Sequence, residues 1–151
     1  MKEDERLRAR RRLDERLCGL KPEDRFRPPP KGWIRAIRDA LGMSGVQLAE
    51  RLGIRPQTVE AIEKSEVAGS IQLNTLRRAA EAMDCTLVFG LAPKTSLNDA
   101  VNQRARKIAI RELARVAHTM KLEAQGGGMA TEEQIEAYIR ENVKDRDIWN
   151  E

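Results

Sequence analysis

Aromatic residues make up only 3% of this 151-residue chain, as two Trp, two Phe and one Tyr. Any core must be assembled mainly from Leu, Ile, Val, Ala and Met. Cysteine is nearly absent: Cys18 and Cys85 lie far apart in unlike contexts, so neither a disulfide framework nor a metal site is expected. Cys85 sits in an apolar run and reads as a small buried hydrophobe. The sole histidine, His118, has no Cys, Asp or second His at ligand spacing, which leaves no metal centre and no catalytic set. The glycine run Gly126-Gly127-Gly128 lacks the lysine and the strand–turn–helix context of a phosphate-cradling loop, so it reads as a hinge. No apolar stretch is long enough to span a membrane, and the N-terminus is charged rather than signal-like. The expectation is a cytoplasmic protein that is not an enzyme and uses no cofactor.

Charge is what the chain has in abundance. Charged residues form 34% and apolar residues 40%, with a formal net charge of +4, which suits a helix-rich protein with much solvated surface. A positive balance favours an anionic partner but does not by itself establish nucleic-acid binding. The length suits one modest domain with extensions.

Residues 1 to 20 read as a charged helix with Leu13, Leu17 and Leu20 on a narrow face and Leu7 nearby, a face that needs a partner surface. Arg6, Arg8, Arg10, Arg11 and Arg12 are balanced by Glu3, Asp4, Glu5, Asp14 and Glu15. They read as a solvated face, with phosphate tracking as the alternative. Pro28, Pro29 and Pro30 then form a stiff linker.

From Gly32 the pattern tightens. Trp33, Ile34, Ile37 and Leu41 mark a short amphipathic helix ended by Gly42. Ser44 with Gln47 three residues on is a capping box that opens a second helix, running to about Leu52. Gly53 breaks it, and Arg55-Pro56 opens a third helix that ends near Glu66. A fourth carries Leu73, Leu76, Ala79, Ala80 and Met83 as its stripe. Cys85 to Leu91 reads as a short strand, including Thr86, Leu87, Val88 and Phe89. A lone strand is an open edge, and its simplest partner is the same strand of a second copy, so these four residues are the dimerisation candidates. The alternative is an irregular segment capping the core. Ser96 with Asp99 opens a long helix through Met120, and Thr131 with Gln134 opens a last one through about Val143. The tail is charged apart from Ile148 and Trp149.

Leu48, Ala49, Gly53, Ile54, Val59 and Ile62 carry the strongest signal. Their spacing specifies two short helices crossing steeply about a tight turn, with the outer face of the second available to a DNA major groove. The stretch from Gln47 to Ile54, then Gln57-Thr58-Val59 and Glu63-Lys64-Ser65, resembles the xenobiotic-response-element class of helix-turn-helix repressors, and Thr75 to Met83 continues the likeness. More closely, Gly32-Trp33-Ile34-Arg35-Ala36-Ile37-Arg38-Asp39-Ala40-Leu41-Gly42-Met43-Ser44 resembles the family called mobile mystery protein A, over most of the chain. That resemblance implies a Fic-domain toxin as partner and a role as antitoxin and autorepressor.

Candidate DNA-binding residues are Gln47, Arg55, Gln57, Thr58, Glu60, Ala61 and Lys64. Gln47 can bind a phosphate, although its amide can equally close the capping box. Gln57 can read an adenine edge, and Lys64 a guanine or phosphate. Glu60 is unusual for the class: it either selects cytosine or marks a domain that binds DNA weakly and serves as an interaction platform. Thr119 and Glu123, four residues apart, resemble the Ser/Thr-x-x-x-Glu element with which inhibitory helices obstruct Fic active sites, but Ala124 stands where Gly or Asn is usual. So short a pattern arises often by chance, so the pair reads first as an ordinary helix surface, with the inhibitory element as the alternative.

The expected architecture is all-α: a lambda-repressor-like helix-turn-helix core with one short dimerising β-strand and helical extensions. Residues 1–31 form a charged arm and linker, 32–92 the DNA-binding domain and 93–151 a helical extension. The leading function is a homodimeric regulator that binds palindromic double-stranded operator DNA and neutralises a Fic-type toxin. The alternative is an interaction antitoxin acting through its C-terminal helix, with weak DNA binding.

Overall fold

Four consecutive helices stop in the same way, and that repeated stop makes the central region angular. The computed structural model describes residues 2–21, 23–122 and 128–150. Among these, seven α-helices form: α1 (Glu3–Leu17), α2 (Trp33–Ala40), α3 (Gly45–Leu52), α4 (Pro56–Val67), α5 (Leu73–Ala82), α6 (Leu97–Leu122) and α7 (Glu132–Asn142). After α2, α3, α4 and α5 the chain turns through a residue of positive φ: Gly42, Gly53, Gly69 and Asp84. In each case the next amide reaches back five residues, as Ile54 N–H does to Ala49 carbonyl at 3.0 Å and Cys85 N–H to Ala80 carbonyl at 2.9 Å. This Schellman closure satisfies the last carbonyls and reverses the chain within two residues. Glycine takes the left-handed turn freely. Asp84 does so at φ 57, with its carboxylate 3.4 Å from Arg51 of α3.

The chain divides into two compact units. One is Leu20–Leu91, holding α2 to α5. Its core is Ile34, Leu48, Ala49, Val59, Ala79 and Met83, with Ile37, Leu52, Ile54, Ile62 and Leu76 packed against it. The apolar spacing named most of these, but Trp33, Leu41 and Leu73 face solvent. Trp33 opens α2, Leu41 has passed its end, and Leu73 begins α5, where the core has not yet closed over the helix.

Polar groups brace this unit at two points. Glu63, on the inner side of α4, is only 6% exposed. Arg38 of α2 donates to it through Nε at 2.7 Å, while a second guanidinium nitrogen donates to the Met43 carbonyl at 2.9 Å. The hydrogen bond to Glu63 pushes the guanidinium further above its already high pKa, so Arg38 remains a cation. Nearby, Glu66 accepts from the amides of Trp33 and Ile34 at 2.7 and 3.0 Å, capping α2 from another helix. Gly32, at φ 81, leaves room for that carboxylate: a Cβ there would lie 2.7 Å from Glu66 Oε2.

The second unit combines the N-terminal residues through Gly19 with those from Ala92 onward. Here α6 packs against α1 and α7. The inner face of α1 is turned relative to the apolar spacing: Leu7, Arg10, Asp14 and Leu17 face inward, while Leu13 is 43% exposed. Two charged residues explain the rotation. Arg10 pairs with Asp145, and Asp14 accepts from Leu97 and Asn98 amides at 2.6 and 3.2 Å. Asp99 N–H donates to Ser96 Oγ at 2.9 Å, and Ala100 N–H to Ser96 carbonyl at 3.0 Å, so the first four amides of α6 are all occupied. At the tail, Ile148 is 1% exposed in a cluster with Val101 and Ala105. Arg104 donates to Ile148 carbonyl at 2.7 Å and lies 5.0 Å from the centre of the Trp149 ring. Gly126 and Gly127 of the expected hinge lie outside the described residues.

The expected strand is not formed. Cys85 to Leu91 has no regular structure, and no strand occurs among the described residues. Thr86, Val88 and Phe89 are exposed and Leu87 is half-buried. A strand exists only where a neighbour takes up its N–H and C=O groups, and a single chain with one such segment supplies none.

Removing one member of a buried ion pair strands the other, at a cost of about 3–5 kcal/mol, whereas replacing both is nearly neutral. Glu63→Ala is therefore expected to lower the urea midpoint sharply, and Arg38→Met with Glu63→Leu to recover most of it. A double variant no better than Glu63→Ala would show that the pair adds net stability. Asp14→Ala is expected to cost on the order of 0.5–2 kcal/mol. It should speed amide exchange at Leu97 and Asn98, and unchanged exchange there would discount the cap.

Candidate nucleic-acid interface

The geometry starts at Ser44. Its hydroxyl accepts from Gln47 N–H at 3.2 Å, and Gln47 Oε1 accepts from Ser44 N–H at 2.8 Å, so the capping box is closed in both directions. Of the two uses open to Gln47, the capping one is formed. Its carbonyl oxygen closes the cap, and its amide nitrogen takes no part in the box. A shallow concavity beside it is lined by Leu41, Gly42, Met43, Gln47, Glu50 and Arg51.

Nine residues after Ser44, Gly53 at φ 66, ψ 34 turns the chain. A Cβ there would meet nothing within 4 Å, so glycine is needed for its backbone freedom and not for space. Arg55 then takes an extended conformation as N-cap, and Pro56 starts α4 with its φ already helical. Ala49 of α3 and Val59 of α4 are both buried in the shared core. The small side chain at Ala49 suits the close approach of the two helices.

Helical period sorts α4 into two sides. Val59, Ile62, Glu63 and Glu66 point into the unit and are buried or half-buried. Gln57, Glu60, Ala61 and Lys64 follow at steps of three and four on the opposite side, and all are exposed. Thr58 and Arg55 are exposed near the helix start, and Gln47 is exposed at the start of α3. The seven candidates therefore all face solvent, and four of them form one continuous stripe.

One relation within that stripe was not read from the sequence. Glu60 Oε1 and Lys64 Nζ are 2.8 Å apart. The Lys64 hydrogen bond and charge, aided by Arg35 of α2, hold the Glu60 carboxyl below the usual carboxylate range. Glu60 is thus ionised and already has a counter-ion. The four-residue spacing of the two is the signal that would have found it.

In the second unit, Thr119 is exposed and donates to Arg115 carbonyl at 3.1 Å, while Glu123 lies outside the described residues. The sequence did not indicate an open groove of about 1300 Å³ between α6 and α7, whose apolar lining includes Ile110, Val116, Met120 and Tyr138. Among the described residues, no three of His, Cys, Asp or Glu come together to hold a metal ion. No helix there is long and apolar enough to cross a membrane.

No curated protein and no solved structure matches the chain. Residues 34–89, from the start of α2 through Phe89, match the helix-turn-helix family model. That region is a helix-turn-helix domain of the xenobiotic-response-element type, the domain type of DNA-binding regulators.

Proposed function

We propose that this protein is an operator-binding regulator that represses its own gene as a homodimer and serves as the antitoxin of a Fic-domain toxin. The observation that carries the DNA-binding part is the exposed stripe Gln57, Glu60, Ala61 and Lys64, set opposite the buried Val59 and Glu63. The shape is that of a recognition helix, whose outer side enters the major groove while the helix before it meets the backbone. Arg55 and the Gln47 amide flank the stripe as phosphate donors. The antitoxin part is supported by the likeness of Gly32 to Ser44 to its family. A separate helical unit with an open apolar groove is available for a protein partner.

Homodimerisation is assigned to the exposed segment Thr86, Leu87, Val88 and Phe89. A second copy related by a two-fold axis would supply the backbone partner that one chain lacks. A second reading, an interaction antitoxin with weak DNA binding, is favoured by the presence of a carboxylate on the stripe.

Footprinting on the upstream region of its own gene, with and without the neighbouring gene's product, tests the proposal. Two symmetric protected half-sites, centred about 10 base pairs or a multiple apart, are expected. Absence of any protected site at low salt would leave the interaction reading in place. Failure of the neighbouring Fic product to co-purify would remove the antitoxin role. Val88→Pro, which removes a ladder donor, is expected to give monomers in sedimentation and shallow, non-cooperative operator binding. Dimers of unchanged stability would discount the segment.

A further inference from the structure

Glu60 and Lys64 are the only oppositely charged residues on the α4 stripe, and they are paired to each other at 2.8 Å with side chains 65% and 75% exposed. An ion pair this open contributes little to stability. A carboxylate alone on this side would be repelled by the phosphates that line a DNA groove. Paired with Lys64, it approaches with no net charge, and the two present an acceptor and a donor side by side.

The floor of the major groove offers the complement. A G·C pair shows guanine N7 and O6 as acceptors and then cytosine N4 as donor. Guanine O6 and cytosine N4 are hydrogen-bonded to each other, so they stand about 3 Å apart. The protein pair has the same spacing. Laid across the base pair, Lys64 Nζ donates to O6 while N4 donates to Glu60, closing a ring of four polar groups in which neither charge loses its partner.

An A·T pair also offers a donor beside an acceptor, adenine N6 and thymine O4, and the flanking groups decide between the two. At G·C, N7 lies beyond O6 and adds a second acceptor for the ammonium. At A·T, N7 lies beside the carboxylate and repels it, and the thymine methyl crowds the ammonium.

We propose that Glu60 and Lys64 act as one unit that selects a G·C base pair of fixed orientation in each half-site. This rests on the reading of α4 as the recognition helix. The test is selection of bound duplexes from a random-sequence DNA pool by the full-length wild type, Glu60→Gln, Lys64→Gln and the exchanged variant carrying Glu60→Lys with Lys64→Glu. Both positions are exposed, and the exchange preserves the ion pair, so circular dichroism and melting of the exchanged variant should match wild type. Wild type should select one such G·C pair in each half-site. Either single variant should lose about tenfold of the preference at that pair and keep the remaining preferences. The exchanged variant should select C·G there instead. A wild-type site whose preferences are unchanged in all three variants overturns the pair as a reader while leaving DNA recognition intact. Sequence-independent binding by wild type overturns both.

Discussion

Glu63 sits on the side of α4 that faces inward, where an unpaired carboxylate would be costly, and Arg38 of α2 takes both of its oxygens. The same guanidinium also holds the Met43 carbonyl, just before Ser44 caps α3. One side chain therefore touches α4, through Glu63, and the turn that leads into α3. Glu66, one turn later on α4, caps α2 in return. A core of Leu, Ile, Val, Ala and Met is smooth and tolerates sliding, because apolar contact has little direction. The Arg38–Glu63 pair and the Glu66 cap are directional. With them in place, the side of α4 that carries Val59 is held inward and the side that carries Gln57, Glu60, Ala61 and Lys64 is left outward.

The same use of directional groups recurs in the other unit. Arg10, Asp14 and Arg104 lie on elements whose apolar residues alone would leave their orientation loose. Asp14 meets the positive end of α6, Arg10 meets Asp145, and Arg104 meets the backbone at Ile148. Polar side chains that reach the start of α6, the Asp145 carboxylate and the Ile148 carbonyl thus help to orient these elements.

Legibility in the sequence followed the range of each interaction. The Ser44–Gln47 and Thr131–Gln134 boxes, the Gly53 turn and the Pro56 start are set within a few residues and were readable directly. The exposed side of α4 that carries Gln57, Glu60, Ala61 and Lys64 was legible because helical period alone separates it from Val59 and Ile62. The ion pair of Glu60 and Lys64 was legible in principle, the two being four residues apart. Glu63 was not readable as a buried group, because its partner Arg38 lies 25 positions away. Asp14 was not readable as a cap, since it serves a helix 83 positions later. Cys85 to Leu91 has the composition of a strand, but composition does not supply a neighbour.

By itself the sequence determined the helices of the central region, their ends and the outward stripe on α4, because capping, left-handed turns and helical period act locally. Only the tertiary structure decided which charged residues turn inward, which face α1 presents and where the tail anchors. Those outcomes depend on partners brought together across tens of residues, where the direction of a hydrogen bond outweighs the weak orientation that apolar area provides.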